Sequence, residues 1–164
     1  MRKWVLLGAA AAVLSIAVFV VGASARATVL TAGLNGEKEV SATGEKGVGD
    51  PNGRGNAVVR INVDRQRACF QLSWRRIAPP SMSHIHEGGP DVAGPVVVTL
   101  FMTGDDEAAA GDQDLPDTLR SAGGCATGVE KALLRRIKNN PRDFYVNIHN
   151  DEFPPGAIRG QLHR

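Results

Sequence analysis

The chain has 164 residues, of which 43% are hydrophobic and 22% charged, and its formal net charge at pH 7 is +2. Three of its 19 basic residues lie within positions 1–27, which leaves 16 basic against 17 acidic residues in the remainder. A near-neutral domain argues against nucleic acid or an anionic membrane as the main partner. The remaining length, about 137 residues, is typical of one domain with its own core.

Residues 1–27 have the order of a secretory signal peptide. A short basic start, "MRKW", precedes an apolar run from Val5 to Val21, and "ASARA" offers cleavage sites after Ala25 or Ala27. The run of 17 residues is shorter than the roughly 20 that span a membrane, which favours cleavage over an uncleaved anchor. We therefore expect an exported domain over residues 28–164, secreted or in the cell envelope, with no membrane span after cleavage.

Alternating apolar and polar residues, separated by turn residues, predict a domain of short strands. The strand candidates are residues 28–34, 57–64, 68–74, 95–101, 143–150 and 157–164. Phe70, Leu72 and Trp74 form the apolar face of one of them, and the continuous run 95–101 predicts a strand covered on both faces. Residues 35–55 and 103–124 are polar and rich in glycine or acidic groups, which is typical of loops.

One helix is predicted after residue 124. Thr127 and Glu130 have the spacing of a capping box, and Val129, Leu133 and Ile137 follow at four-residue spacing before Pro141. Many short strands with one helix in a connection predict an all-β fold, an antiparallel Greek-key-like β-sandwich.

Cys69 and Cys125 are the two cysteines of the chain. An even pair in an exported protein favours a disulfide over two separate buried thiols. Such a bond would stabilise the fold by about 4 kcal/mol through the unfolded chain.

Several motifs in order resemble the CHRD domain family, from "LNGEKEV" through "HIHEGGPDVAGPVVV" to "FYVNIHNDEFPPGAIRGQL". The matching residues are Leu34, Gly36, Glu39, Val40, His84, Ile85, His86, Gly88, Gly94, Pro95, Val96, Tyr145, Val146, Asn147, His149, Gly156, Ile158, Arg159, Gly160, Gln161 and Leu162. Ser41-Ala42 and Asn150-Asp151 depart from the family pattern. The resemblance spans nearly all of residues 28–164 and implies a module that is not tied to an enzymatic reaction.

Strand alternation places the distinctive polar residues on one side. If Ile85 faces the core, His84 and His86 face away from it. The same reasoning puts Tyr145, Asn147 and His149 on the outer side of one strand, and Arg159 and Gln161 on the outer side of another. Whether these three strands are neighbours is not encoded in the local pattern.

If they are neighbours, His84, His86 and His149 form a three-nitrogen site suited to copper or zinc. Arg159, Glu87, Asn147 and Gln161 would then surround the ligands. "HIHEG" also resembles the copper-ligand strand of copper–zinc superoxide dismutase, although a redox enzyme of that kind would need a fourth ligand and an open channel.

The alternative is a metal-free brace. The histidines would bond loop carbonyls, and Arg159 would pair with Glu87 or Asp151 to lock the loops together. The sequence has no Gly-x-Ser-x-Gly motif and no isolated cysteine nucleophile, so a hydrolase is disfavoured. We therefore predict a monomeric, non-enzymatic binding or structural module, whose partner is a protein or envelope component, with copper or zinc binding as the alternative function.

Overall fold

The residues that the structure describes form eight strands and one α-helix. The computed structural model describes residues 27–103 and 120–164, so the expected signal peptide lies outside the described residues except for its last position. The strands are β1 Thr28–Asn35, β2 Arg54–Asn62, β3 Arg67–Arg75, β4 Met82–Glu87, β5 Val96–Met102, β6 Ser121–Thr127, β7 Phe144–His149 and β8 Ile158–Gln161. The helix, α1, is Lys131–Asn139, and two 3₁₀ turns occupy Gly36–Lys38 and Pro141–Asp143.

The strands form one antiparallel sheet in the order β5-β4-β7-β8-β1-β2-β3-β6. The sheet curves until its two edge strands, β5 and β6, contact each other, so it is nearly closed. Phe101 on β5 packs against Phe70 and Trp74 on β3, with ring centroids 6.5 and 6.4 Å apart. The prediction of an all-β antiparallel fold with one helix in a connection is confirmed.

The inward side chains follow the period of two that the sequence shows. Phe70, Leu72 and Trp74 are buried as predicted, while the residues between them face outward. Helix α1 contacts β2 and adds Leu134 and Ile137, both fully buried, to the same core. Burying such side chains stabilises the fold by about 1.5–3 kcal/mol each.

Residues 121–124 are not a loop as predicted, because they begin strand β6. β6 pairs with β3 in continuous register, with Gly123 opposite Gln71 and Gly124 opposite Phe70. A ladder of backbone hydrogen bonds needs no side-chain pattern, so a glycine-rich strand has no alternation to recognise.

The predicted capping box at Thr127 is also wrong. Thr127 ends β6 opposite Arg67, the helix begins only at Lys131, and the residue before it, Glu130, makes no side-chain capping bond. The strand predicted at 95–101, covered on both faces, is observed as β5 at the edge of the sheet. Some of its side chains, including Val96, are exposed.

The Cys69–Cys125 disulfide is confirmed. The two residues lie directly opposite each other on β3 and β6. Their side chains are on the outer face of the sheet, where Cys125 is exposed. Within residues 27–103 and 120–164, no helix is long and apolar enough to cross a membrane.

Candidate metal centre

The three strands that carry the distinctive polar residues are neighbours in the sheet. β4 pairs with β7 and β7 with β8, which aligns His84, Asn147 and Arg159 in one row across the strands. Ile85, at the position between the two β4 histidines, is fully buried in the core. The predicted alternation is therefore correct, and it gathers the polar residues on the outer face of β4, β7 and β8.

Two loops cover this outer face and bury it. Residues 88–94 lie over one part, and residues 150–157 lie over another. His84, His86 and His149 retain only 6%, 7% and 7% of their surface exposed. The histidines therefore lie inside the protein, although they face away from its apolar core.

Hydrogen bonds to carbonyl groups fix the protonated nitrogen of two histidines. His86 Nδ1 lies 2.8 Å from the carbonyl oxygen of Gly94, and His149 Nδ1 lies 2.8 Å from that of Pro154. A carbonyl oxygen only accepts, so each neutral ring carries its proton on Nδ1 and its lone pair on Nε2. His86 Nε2 has no hydrogen-bond partner although it is buried.

The third histidine completes a compact group. His84 Nδ1 lies 3.2 Å from His149 Nε2 and donates to its lone pair. One nitrogen from each of His84, His86 and His149 lies within 4.8 Å of the others. Two nitrogens bound to one tetrahedral ion at 2.0–2.1 Å are about 3.3 Å apart. The His84–His149 pair therefore already has the spacing of two metal ligands, and the third nitrogen would have to move inward by up to about 1.5 Å.

Burial keeps these histidines neutral. Desolvation, with the neighbouring His149 and His86 as lesser causes, lowers the pKa of His84 to about 4. Desolvation also lowers the pKa of His86 and of His149, against the opposing effect of their carbonyl partners. Neutral imidazole is the form that binds metal, so all three rings have the charge state of a metal ligand at neutral pH.

The cluster fits copper or zinc in its donor atoms and in its surroundings. Imidazole nitrogens suit Cu²⁺ and Zn²⁺, and metal-ligating histidines usually donate their second N–H to a carbonyl or carboxylate. His86 and His149 do so, and the Tyr145 ring stacks on the His86 ring at 4.7 Å between centroids. To bind through Nδ1, His84 would carry its proton on Nε2 instead.

Arg159 lies beside the histidines and braces the covering loop. Its side chain is 1% exposed, Nη2 donates to the carbonyls of Gly89 and Val92 at 2.8 and 2.9 Å, and the guanidinium lies 3.3 Å from the Tyr145 ring centroid. Cation–π contact and charge-assisted hydrogen bonds both stabilise a buried guanidinium.

The ionic partner of Arg159 is Glu39, not Glu87 or Asp151 as the sequence suggested. Glu39 Oε1 lies 4.0 Å from Arg159 Nη1, and burial raises the pKa of this carboxyl group despite the nearby guanidinium. Sequence reasoning did not select Glu39 for the site, although the Leu-x-Gly-x-x-Glu-Val motif contains it.

The structure places Glu87 and Gln161 at the margin of the cluster. Glu87 pairs with Arg136 on α1. Gln161 Nε2 donates to the carbonyls of Gly88 and Arg142 at 2.6 and 2.7 Å. Both residues therefore link neighbouring segments to the margin of the cluster.

Comparison with known proteins gives a family and no individual relative. The CHRD domain family matches residues 30–162. No curated protein and no solved structure matches the chain. Since the match extends from β1 to the residue after β8, the chain belongs to the CHRD domain family.

Proposed function

We propose that this CHRD domain is a non-enzymatic binding module that acts outside the cytoplasm and holds one copper or zinc ion. The ligands would be His84, His86 and His149, and Arg159 would fix the covering loop beside them. CHRD domains occur in extracellular proteins, and the disulfide suits an oxidising compartment. The signal-peptide-like order of residues 1–27 supports export.

The observation that carries the metal proposal is the arrangement of nitrogen lone pairs. His86 Nε2 is buried without a partner, whereas most buried polar atoms have one. His149 Nε2 and His84 Nδ1 face each other within the same group. A buried site that gathers imidazole nitrogens and leaves one lone pair unmatched is chemically suited to a cation.

The test is metal analysis of the protein recovered after export, purified without chelator or metal-affinity tag. We expect one equivalent of copper or zinc per chain, or uptake of one equivalent on titration at micromolar metal. His86→Ala should abolish binding while the unfolding transition remains cooperative. His163→Ala is the matched control, because His163 is exposed next to the C-terminal residue and does not belong to the cluster.

Absence of metal after purification, together with no uptake of micromolar Cu²⁺ or Zn²⁺, would overturn the proposal. The polar face would then serve as a brace, and the search for a ligand would turn to a protein or an envelope component. Equal loss of binding in His86→Ala and His163→Ala would instead place the metal at a different site.

A further inference from the structure

We propose that Asn147 is a fourth ligand of this ion, through its side-chain oxygen Oδ1, so that the site has three nitrogens and one oxygen. The inference rests on the proposed metal function. Asn147 lies on β7, directly opposite His84 on β4 and directly opposite Arg159 on β8. It is 1% exposed and occupies the middle of the polar face.

Unpaired acceptors concentrate around this residue. Over residues 27–103 and 120–164, five buried side-chain N or O atoms have no hydrogen-bond partner, and only one lies away from this face. They are Glu39 Oε2, His86 Nε2, Asn147 Oδ1, Arg159 Nη1 and, in the core, Trp74 Nε1. Three of the four on the polar face are acceptors, given that His86 carries its proton on Nδ1. A bound cation would accept these unpaired lone pairs.

The orientation of the Asn147 amide is fixed by its nitrogen. Nδ2 donates to the carbonyl oxygen of Pro155 at 3.4 Å, and it lies with the Glu39 carboxylate on the same side of Gly156. Rotating the amide by about 180° would place Oδ1 next to the Pro155 carbonyl oxygen and the Glu39 carboxylate, which are also acceptors. The nitrogen therefore stays with Pro155 and Glu39, and Oδ1 is left for the side of the amide that contacts His86.

Asn147 interacts with His86, and each side chain has a buried acceptor without a partner. Oδ1 cannot donate, and His86 Nε2 carries no proton because Nδ1 bonds Gly94. Neither atom satisfies the other, which agrees with both being without a partner. A metal ion would accept both lone pairs at once, and the hydrogen bond from the amide to the Pro155 carbonyl increases the donor strength of Oδ1.

The ligand set that follows is neutral. Three imidazoles and one amide oxygen would leave a Cu²⁺ ion with its full charge, since the nearby Glu39 carboxylate is already paired with Arg159. Replacing Asn147 by Asp keeps the shape and introduces a charged oxygen, whereas Asn147→Leu removes the oxygen and keeps the volume. Both changes should alter the electronic environment of the ion if the oxygen is bound to it.

The experiment is electron paramagnetic resonance of the exported protein loaded with one equivalent of Cu²⁺, with affinity measured by competition against a chelator. We expect Asn147→Leu to lose about tenfold or more in affinity. Asn147→Asp keeps an oxygen donor but sets its second oxygen against the Pro155 carbonyl and the Glu39 carboxylate, so its readout is the spectrum rather than the affinity. Both should shift the g and copper hyperfine values. Asn150→Asp is the matched control: Asn150 is also buried, but its Oδ1 accepts from the Phe153 N–H at 2.8 Å, so the spectrum should not change.

Two results would overturn the inference in distinguishable ways. If the spectra of Asn147→Asp and Asn147→Leu match that of the unmodified protein, Asn147 is not a ligand, while loss of copper in His86→Ala would still support the proposed function. If the unmodified protein takes up neither Cu²⁺ nor Zn²⁺, both proposals fail. Should Asn147→Leu not fold, Asn147→Asp decides alone, because an unchanged spectrum in that variant refutes coordination.

Discussion

Lowering the pH from 7 to 4 should destabilise the metal-free domain, and His84 should account for about 3 kcal/mol of the loss. In the folded protein the pKa of His84 is about 4, against 6.5 for the ordinary side chain. Each unit of pKa difference corresponds to about 1.4 kcal/mol between the two protonation states. The pKa difference of about 2.5 units therefore corresponds to a loss of about 3 kcal/mol in the free energy of unfolding.

The direction follows from proton binding. Below pH 6.5 the unfolded chain protonates His84 while the folded protein does not, so acid favours unfolding. Stability from this group is complete above pH 6.5 and is lost as the pH falls toward 4. His86 and His149, whose pKa values are also lowered by burial, act in the same direction. Glu39 acts oppositely, because burial raises the pKa of its carboxyl group.

Urea unfolding with chelator present, at intervals from pH 7 to pH 4, measures the effect, and His84→Gln isolates the contribution of one residue. We expect the drop in unfolding free energy between pH 7 and pH 4 to be about 3 kcal/mol smaller in His84→Gln than in the unmodified protein. Comparing the two proteins cancels the Glu39 contribution to first order. Equal drops in both proteins would refute the reasoning, since they would show that His84 titrates alike in the folded and unfolded states.

Two further predictions concern the residues around the histidines. Arg159→Met should cost about 3–5 kcal/mol in urea unfolding, because it leaves the buried Glu39 without its counter-charge. Adding Glu39→Gln should restore part of that loss, and a purely additive double variant would contradict the coupling. Gly156→Ala should lower thermal stability by about 2 kcal/mol more than Gly44→Ala. Gly156 has φ +147° and an added Cβ would overlap the Glu39 carboxylate, whereas Gly44, at φ +87°, has open space around it.

The shared face of His84 and His86 was predictable from sequence because its signal is local. The order His84–Ile85–His86 in a strand fixes which side chains share a face, whatever the rest of the fold does. The neighbour relation between β4, β7 and β8 was not predictable in the same way. It depends on pairing between residues more than 60 positions apart, such as His84 with Asn147, and no local pattern records such a pairing.

Glu39 is a residue of the polar face that could not be identified from the sequence. A glutamate in a polar, glycine-rich segment is typical of a solvated loop, and nothing near it in sequence indicates burial. Its burial depends on Arg159 and on the loop that contains Gly156, both of which are more than 110 residues away. Thr127 is another residue whose local signal is overridden by the rest of the fold. Its sequence context predicts a helix cap, but its backbone pairs with that of Arg67 between β3 and β6.

The position of β8 in the sheet has a consequence for how the chain reaches its native state. β8 is the last strand in sequence, yet it lies between β7 and β1 in the middle of the sheet order. Until β8 is in place, β5-β4-β7 and β1-β2-β3-β6 are two separate sheets, with β7 and β1 as unprotected edges. Exposed strand edges can pair with those of another chain and cause aggregation. Strands that are far apart in sequence pair slowly. Pairing of four residues, Ile158–Gln161, therefore joins the two sheets, covers both aggregation-prone edges and brings Arg159 to the polar face.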